Sequence, residues 1–200
     1  MKNIEIEGLN FEILLSSNNI LKRVNVLAAQ IIKQYQSEWP LFLIVLNGAS
    51  VFASALLKRI DESVPTALVK VSSYSGTEST NNILVDYFPY ELVRGRNILL
   101  IEDIVDTGLT LSFLKKELKK NGANNIECVT LLFKPSKYNY STNPQYVGFD
   151  IGEEFVVGYG MDYNQKGRNL PHVYKKNIHQ NWLLMINLIL FGPPGSGKGT

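Results

Sequence analysis

Residues 98–111, I-L-L-I-E-D-I-V-D-T-G-L-T-L, decide how the rest of the chain is read. Residues 98–101 are uniformly apolar and predict a strand buried on both faces. Glu102 and Asp103 follow where that strand is expected to end, and Asp106 opens the turn Asp106-Thr107-Gly108-Leu109-Thr110. An amphipathic helix is expected from about 109 to 121. A strand that ends in acids and leads through small residues into a helix N-terminus suits an anionic ligand. The free N–H groups of the first turn attract a phosphate, and Gly108 lets the main chain approach it closely. Paired carboxylates suit sugar hydroxyls or a hydrated Mg²⁺ carried by the ligand. The competing structural reading is an acidic cap that complements the helix dipole. It does not explain two further carboxylates at a buried strand end.

The bulk numbers bound the class. Of 200 residues, 45% are apolar and 19% charged, enough for a sizeable core and too apolar for a disordered chain. The 20 basic and 18 acidic residues leave a net charge of +2, which offers no support for a nucleic-acid partner. Cys128 is the only cysteine, so no intrachain disulfide forms and a reducing, cytoplasmic setting fits. The first residues carry acids rather than a basic and then apolar signal, and no apolar run reaches membrane-spanning length.

Working outward, residues 11–15 close an N-terminal lead-in expected to pack on the sheet. Ser16 or Ser17 can cap a helix with apolar residues at Ile20, Val24, Leu27, Ile31 and Tyr35. Residues 41–46 predict a buried strand, followed by the small-residue turn Asn47-Gly48-Ala49-Ser50 and a helix from about 51 to 60. That is a second strand–turn–helix unit of the anion-binding kind. Residues 66–72 predict another strand, and 72–82 a loop almost without apolar content. A return strand and turn are expected at 83–92, and a buried strand at 126–133 ending in Lys134-Pro135.

These motifs resemble the 5-phosphoribosyl 1-pyrophosphate motif of the type I phosphoribosyltransferases. Residues from about 40 to 174 resemble the hypoxanthine-guanine branch of that family. The resemblance implies an α/β fold: a parallel twisted sheet flanked by helices, with a small hood built mainly from residues near 145–180 and the N-terminal residues. It implies purine salvage, with phosphoribosyl pyrophosphate and a 6-oxopurine as substrates, IMP or GMP and pyrophosphate as products, Mg²⁺ as cofactor, and a homodimer or homotetramer. Glu102 and Asp103 would fix the ribose and join Asp162 around Mg²⁺, while Thr107, Gly108, Leu109 and Thr110 would hold the 5-phosphate. Asn47, Gly48 and Arg168 would meet pyrophosphate, in a loop that in this family often carries a non-proline cis peptide. The family commonly has Lys where this chain has Asn47, whose neutral amide cannot supply the same charge. Asp106 would take the purine N7 proton, and Ser73 and Tyr74 would belong to a loop closing over the ribose. Lys134, Phe155, Val156 and Ile104 would bind the base.

The tail changes character. Residues 185–200, M-I-N-L-I-L-F-G-P-P-G-S-G-K-G-T, resemble the opening strand and P-loop of adenylate kinase. They suggest a fusion, with a transferase domain at 1–184 and the truncated start of a second enzyme. Two other classes of function therefore stand beside the transferase: a nucleotide-binding regulator on the same fold, and a bifunctional transferase–kinase.

Overall fold

The computed structural model describes residues 3–36, 38–73 and 83–177. The tail at 185–200 and Tyr74 lie outside the described residues, and of Ser73 only the backbone is described. In chain order the elements are β1 (Ile4–Ile6), β2 (Leu9–Leu15), α1 (Ser17–Tyr35), β3 (Leu41–Leu46), α2 (Ser50–Leu57), β4 (Thr66–Ser73) and β5 (Ile83–Tyr87). There follow α3 (Tyr90–Val93), β6 (Ile98–Val105), α4 (Leu109–Lys120), β7 (Ile126–Phe133), β8 (Tyr146–Asp150), β9 (Val156–Val157) and β10 (Val173–Lys176).

Six strands form the main sheet in the order β5-β4-β3-β6-β7-β8. The pairs from β4 across to β8 are parallel, and β5 returns antiparallel on β4. The continuous apolar strands follow from burial on both faces. Phe42, Leu99, Ile101, Val129 and Leu131 pack with α1 and α2 on one side. Leu41, Leu43, Val45, Leu100 and Cys128 pack with α4 on the other. In α1 the side chain of Ser16 accepts from Asn19 N, and Ile20, Val24, Leu27, Ala28 and Ile31 form the buried stripe. His172 Nδ1 accepts from Ser17 N at 2.8 Å, which gives this histidine a structural role at the start of α1.

Several expectations need correction. β6 continues to Val105, because its ladder with β7 runs on to Val105↔Phe133; Glu102 and Asp103 therefore sit inside the strand, not after it. The strands expected to be parallel are so, and β5, in the expected return segment, adds one antiparallel edge. Residues 146–150, expected in the hood, form the edge strand β8 of the main sheet, where Arg23 donates to the carbonyls of Val147 and Gly148 at 2.7 Å. Of the N-terminal residues expected as a lead-in on that sheet, Leu14 and Leu15 do pack against its core, but the segment is more than a lead-in. It pairs as a hairpin in a second sheet, β1-β2-β10-β9, around Ile6, Phe11, Val157 and Tyr174.

The chain leaves β3 toward β4 on one side and reaches β6 and β7 on the other. The carboxyl ends of the neighbouring strands β3 and β6 therefore open a crevice at the switch point, the usual ligand position in open α/β sheets.

Candidate active site

Two loops meet at that crevice. The first follows β3, where the Leu46–Asn47 peptide is cis. A Cβ added at Gly48 would lie 2.0 Å from Asp103 Oδ2, so the missing side chain is what lets the Asp103 carboxyl sit against this loop. The second follows β6. Gly108 has φ 86° and caps α4 without a side-chain bond, a left-handed geometry that favours glycine. Thr107 Oγ1 accepts from Leu109 N at 3.4 Å. Between the loops lies a cavity of about 360 Å³, lined by Asn47, Gly48, the run from Glu102 to Leu111, and Arg168. Ile104, Thr107, Leu109 and Thr110 are all in that lining.

The carboxylates differ in environment. Glu102 is 5% exposed, and burial, reinforced by the charge of Asp103, pushes its pKa well above the ordinary carboxyl range. Asp103 is raised to about 6 by burial, although backbone N–H groups and Arg168 pull it down. Arg168 holds the hood side of the site together: it donates to Gly160 O at 2.8 Å and pairs with Asp162 Oδ1 at 2.6 Å. Asp162 Oδ2 accepts from Gln165 N at 2.7 Å.

Asp106 lies where β6 and β7 end side by side. Lys134 N donates to Val105 O at 3.0 Å, and this brings the buried Lys134 ammonium to 2.8 Å from Asp106 Oδ2. Phe155 is 46% exposed, with Tyr163 packed edge-on at 5.7 Å and Phe11 at 6.4 Å. Val156 lies in β9, the last strand of its sheet. Lys176 N bonds Phe155 O, so the Val156↔Lys175 pair is a non-hydrogen-bonded one and the Val156 N–H and C=O point away from β10.

The structure thus gathers the residues expected around phosphate, ribose and pyrophosphate into one cavity. Lys134, Phe155, Val156 and Asp162 do not line it. Lys134 reaches it through Asp106, and Asp162 through Arg168, while Phe155 borders a separate hollow with Glu12, Glu153, Glu154 and Lys175. The set of Glu102, Asp103 and Asp162 does not converge as a metal cage: among the described residues no group of three or more His, Cys, Asp or Glu does. Glu102 and Asp103 do line the cavity, and Mg²⁺ needs only one or two carboxylates besides water and substrate phosphates. Sequence reasoning missed Lys137, 3.8 Å from Asp106 Oδ1, and the rings of Tyr138 and Tyr140 against Gly108. No periodicity marks them, because they lie in an irregular turn. The only signal is a second lysine three residues after Lys134.

The model of the phosphoribosyl transferase domain family matches residues 10–164. The chain is similar to a hypoxanthine-guanine phosphoribosyltransferase of Bacillus subtilis, 40% identical over 163 residues that cover 81% of this chain and 91% of the relative. Among solved structures it is similar to a hypoxanthine phosphoribosyltransferase from Staphylococcus aureus, with a TM-score of 0.77 and 38% identity over 83% of this chain and 91% of that one. It is also similar to a hypoxanthine-guanine phosphoribosyltransferase from Bacillus anthracis with HEPES in the active site, with a TM-score of 0.76 and 35% identity over 82% and 97% of the two chains. With both loops of the crevice inside the matched span, the chain belongs to the phosphoribosyl transferase domain family.

Proposed function

We propose that the protein transfers the 5-phosphoribosyl group of phosphoribosyl pyrophosphate to N9 of hypoxanthine or guanine, giving IMP or GMP and pyrophosphate. The observation that carries the choice of base is the Asp106–Lys134 pair, a carboxylate and an ammonium 2.8 Å apart at the rim of the phosphate-binding loop. A 6-oxopurine presents O6 and N7 on one edge. Lys134 donates to O6, and Asp106 accepts the proton of N7 as the base becomes a nucleophile at N9. The half-exposed ring of Phe155 stacks on the base, and the outward Val156 main chain meets its Watson–Crick edge.

At the other end, the first-turn N–H groups of α4 receive the 5-phosphate and the Asn47–Gly48 loop and Arg168 the pyrophosphate. Glu102 and Asp103 orient the ribose. Asp103 and Asp162 would hold Mg²⁺, which when bound would supply charge neutralisation for the leaving group. Ser73 and Tyr74 belong in this reading to a segment that excludes water from the reacting ribose.

Leu84, Tyr87, Tyr90 and Leu92 are exposed around the β5 edge, which supports self-association as a homodimer or homotetramer. No helix among the described residues is long and apolar enough to cross a membrane. The buried, unpaired Cys128 is compatible with a reducing cytoplasm.

The deciding experiment is nucleotide formation and pyrophosphate release with a panel of bases, run on the wild type and on Asp106→Asn. We expect hypoxanthine and guanine to react and kcat of the variant to fall by roughly 10²–10⁴ with the fold intact. No nucleotide from either base would end the transferase reading. Near-normal turnover by the variant would remove the assignment of Asp106 alone.

A further inference from the structure

Among the described residues the Asp106 carboxylate makes one hydrogen bond, and its other oxygen tells more. Oδ2 is taken by Lys134, whereas Oδ1 is sealed from solvent without a hydrogen-bond partner. The Lys137 ammonium stands 3.8 Å from that oxygen. Its position is built in. Residues 134–137 form a turn closed by Lys137 N donating to Lys134 O at 3.2 Å, with Pro135 restricting the backbone at the second position. Tyr138 then anchors the turn, its ring edge-on to Phe133 at 5.2 Å. Two lysines of one short turn therefore address the two oxygens of one carboxylate.

The two differ in what surrounds them. The Lys134 side chain is 5% exposed and that of Lys137 is 35% exposed. A base oxygen that draws on the Lys134 ammonium weakens its bond to Asp106 just when Asp106 must receive the N7 proton. We propose that Lys137 is a positioning residue that holds the Asp106 carboxylate in its orientation while Lys134 is engaged by the base. The inference rests on the reading of Asp106 as base and Lys134 as the O6 donor. It adds a reason for the second lysine, which does not line the cavity.

The test compares Lys137→Met and Lys137→Arg, alone and in Asp106→Asn, by steady-state kinetics against hypoxanthine and phosphoribosyl pyrophosphate separately. Lys137→Met should lower kcat/KM for hypoxanthine about three- to fivefold, the size of a partly exposed charge pair. KM for phosphoribosyl pyrophosphate should stay at the wild-type value, and Lys137→Arg should restore most of the loss. In Asp106→Asn the further change to Met should have no added effect, because the group it serves is gone. Wild-type kcat/KM for Lys137→Met, equal losses with Met and Arg, or full additivity with Asp106→Asn would each overturn the inference and leave the base assignment standing. Near-normal turnover by Asp106→Asn itself would overturn that assignment, and the inference with it.

Discussion

Replacing Asp103 with Asn removes a charge from a position that resists ionisation, yet keeps an oxygen able to accept from the backbone N–H groups of residues 103 and 104. Burial lifts this carboxyl from 3.8 to about 6. At 1.36 kcal/mol per tenfold change, carrying the charge at neutral pH costs the folded state up to about 3 kcal/mol. Asp103 is only partly buried, so we take about 1–2 kcal/mol after solvent screening. The sign follows from proton binding. Between about pH 4 and pH 6 the folded carboxyl holds its proton while the unfolded one has lost it, so this group's contribution to stability falls as pH rises through that window and is fully lost above it. Asn does not titrate. Urea unfolding of both proteins at about pH 4 and about pH 8 should therefore show the variant gaining about 1–2 kcal/mol on the wild type across the interval. Phosphoribosyl transfer should be lost at the same time. Parallel loss of stability by the two proteins over that range would refute the argument from burial.

Three further outcomes are expected. Gly48→Ala forces a methyl to within 2.0 Å of Asp103 Oδ2, and the strain of roughly 1–3 kcal/mol should lower kcat/KM for phosphoribosyl pyrophosphate by about tenfold or more; an unchanged value would mean that the loop yields freely. Lys134 donates where adenine presents an amino group, so adenine should be rejected by on the order of 10⁴-fold relative to hypoxanthine, and comparable kcat/KM values would sink the 6-oxopurine reading. Every residue given a catalytic or binding role here lies between Asn47 and Arg168, so truncation after Leu184 should leave kcat and both KM values unchanged; a large loss on truncation would show that the tail serves the transferase.

Much of the frame is written locally. The runs at 41–46, 98–101 and 126–133 are long enough and apolar enough to be strands covered on both sides, and α1 declares its buried stripe by helical spacing. The turns after β3 and β6 carry their small residues in sequence, so both anion-binding loops and their helix starts are legible without coordinates. What depends on strand pairing is not. Val105↔Phe133 extends β6 past its acids, and β8 joins the main sheet because β7 offers it an unpaired edge; neither partner is named by the local pattern. The site chemistry divides the same way. Residue types could propose Asp106 and Lys134, but these two side chains, 28 positions apart in the chain, are brought to 2.8 Å only by the parallel register of β6 on β7. The pairing of Arg168 with Asp162, the fit of Asp103 against Gly48, and the second ammonium from Lys137 likewise belong to the folded chain. Sequence sets which groups are available and the period that buries or exposes them. Distances among side chains far apart in the chain come from how the sheet is ordered and where its loops converge, and those are properties of tertiary packing alone.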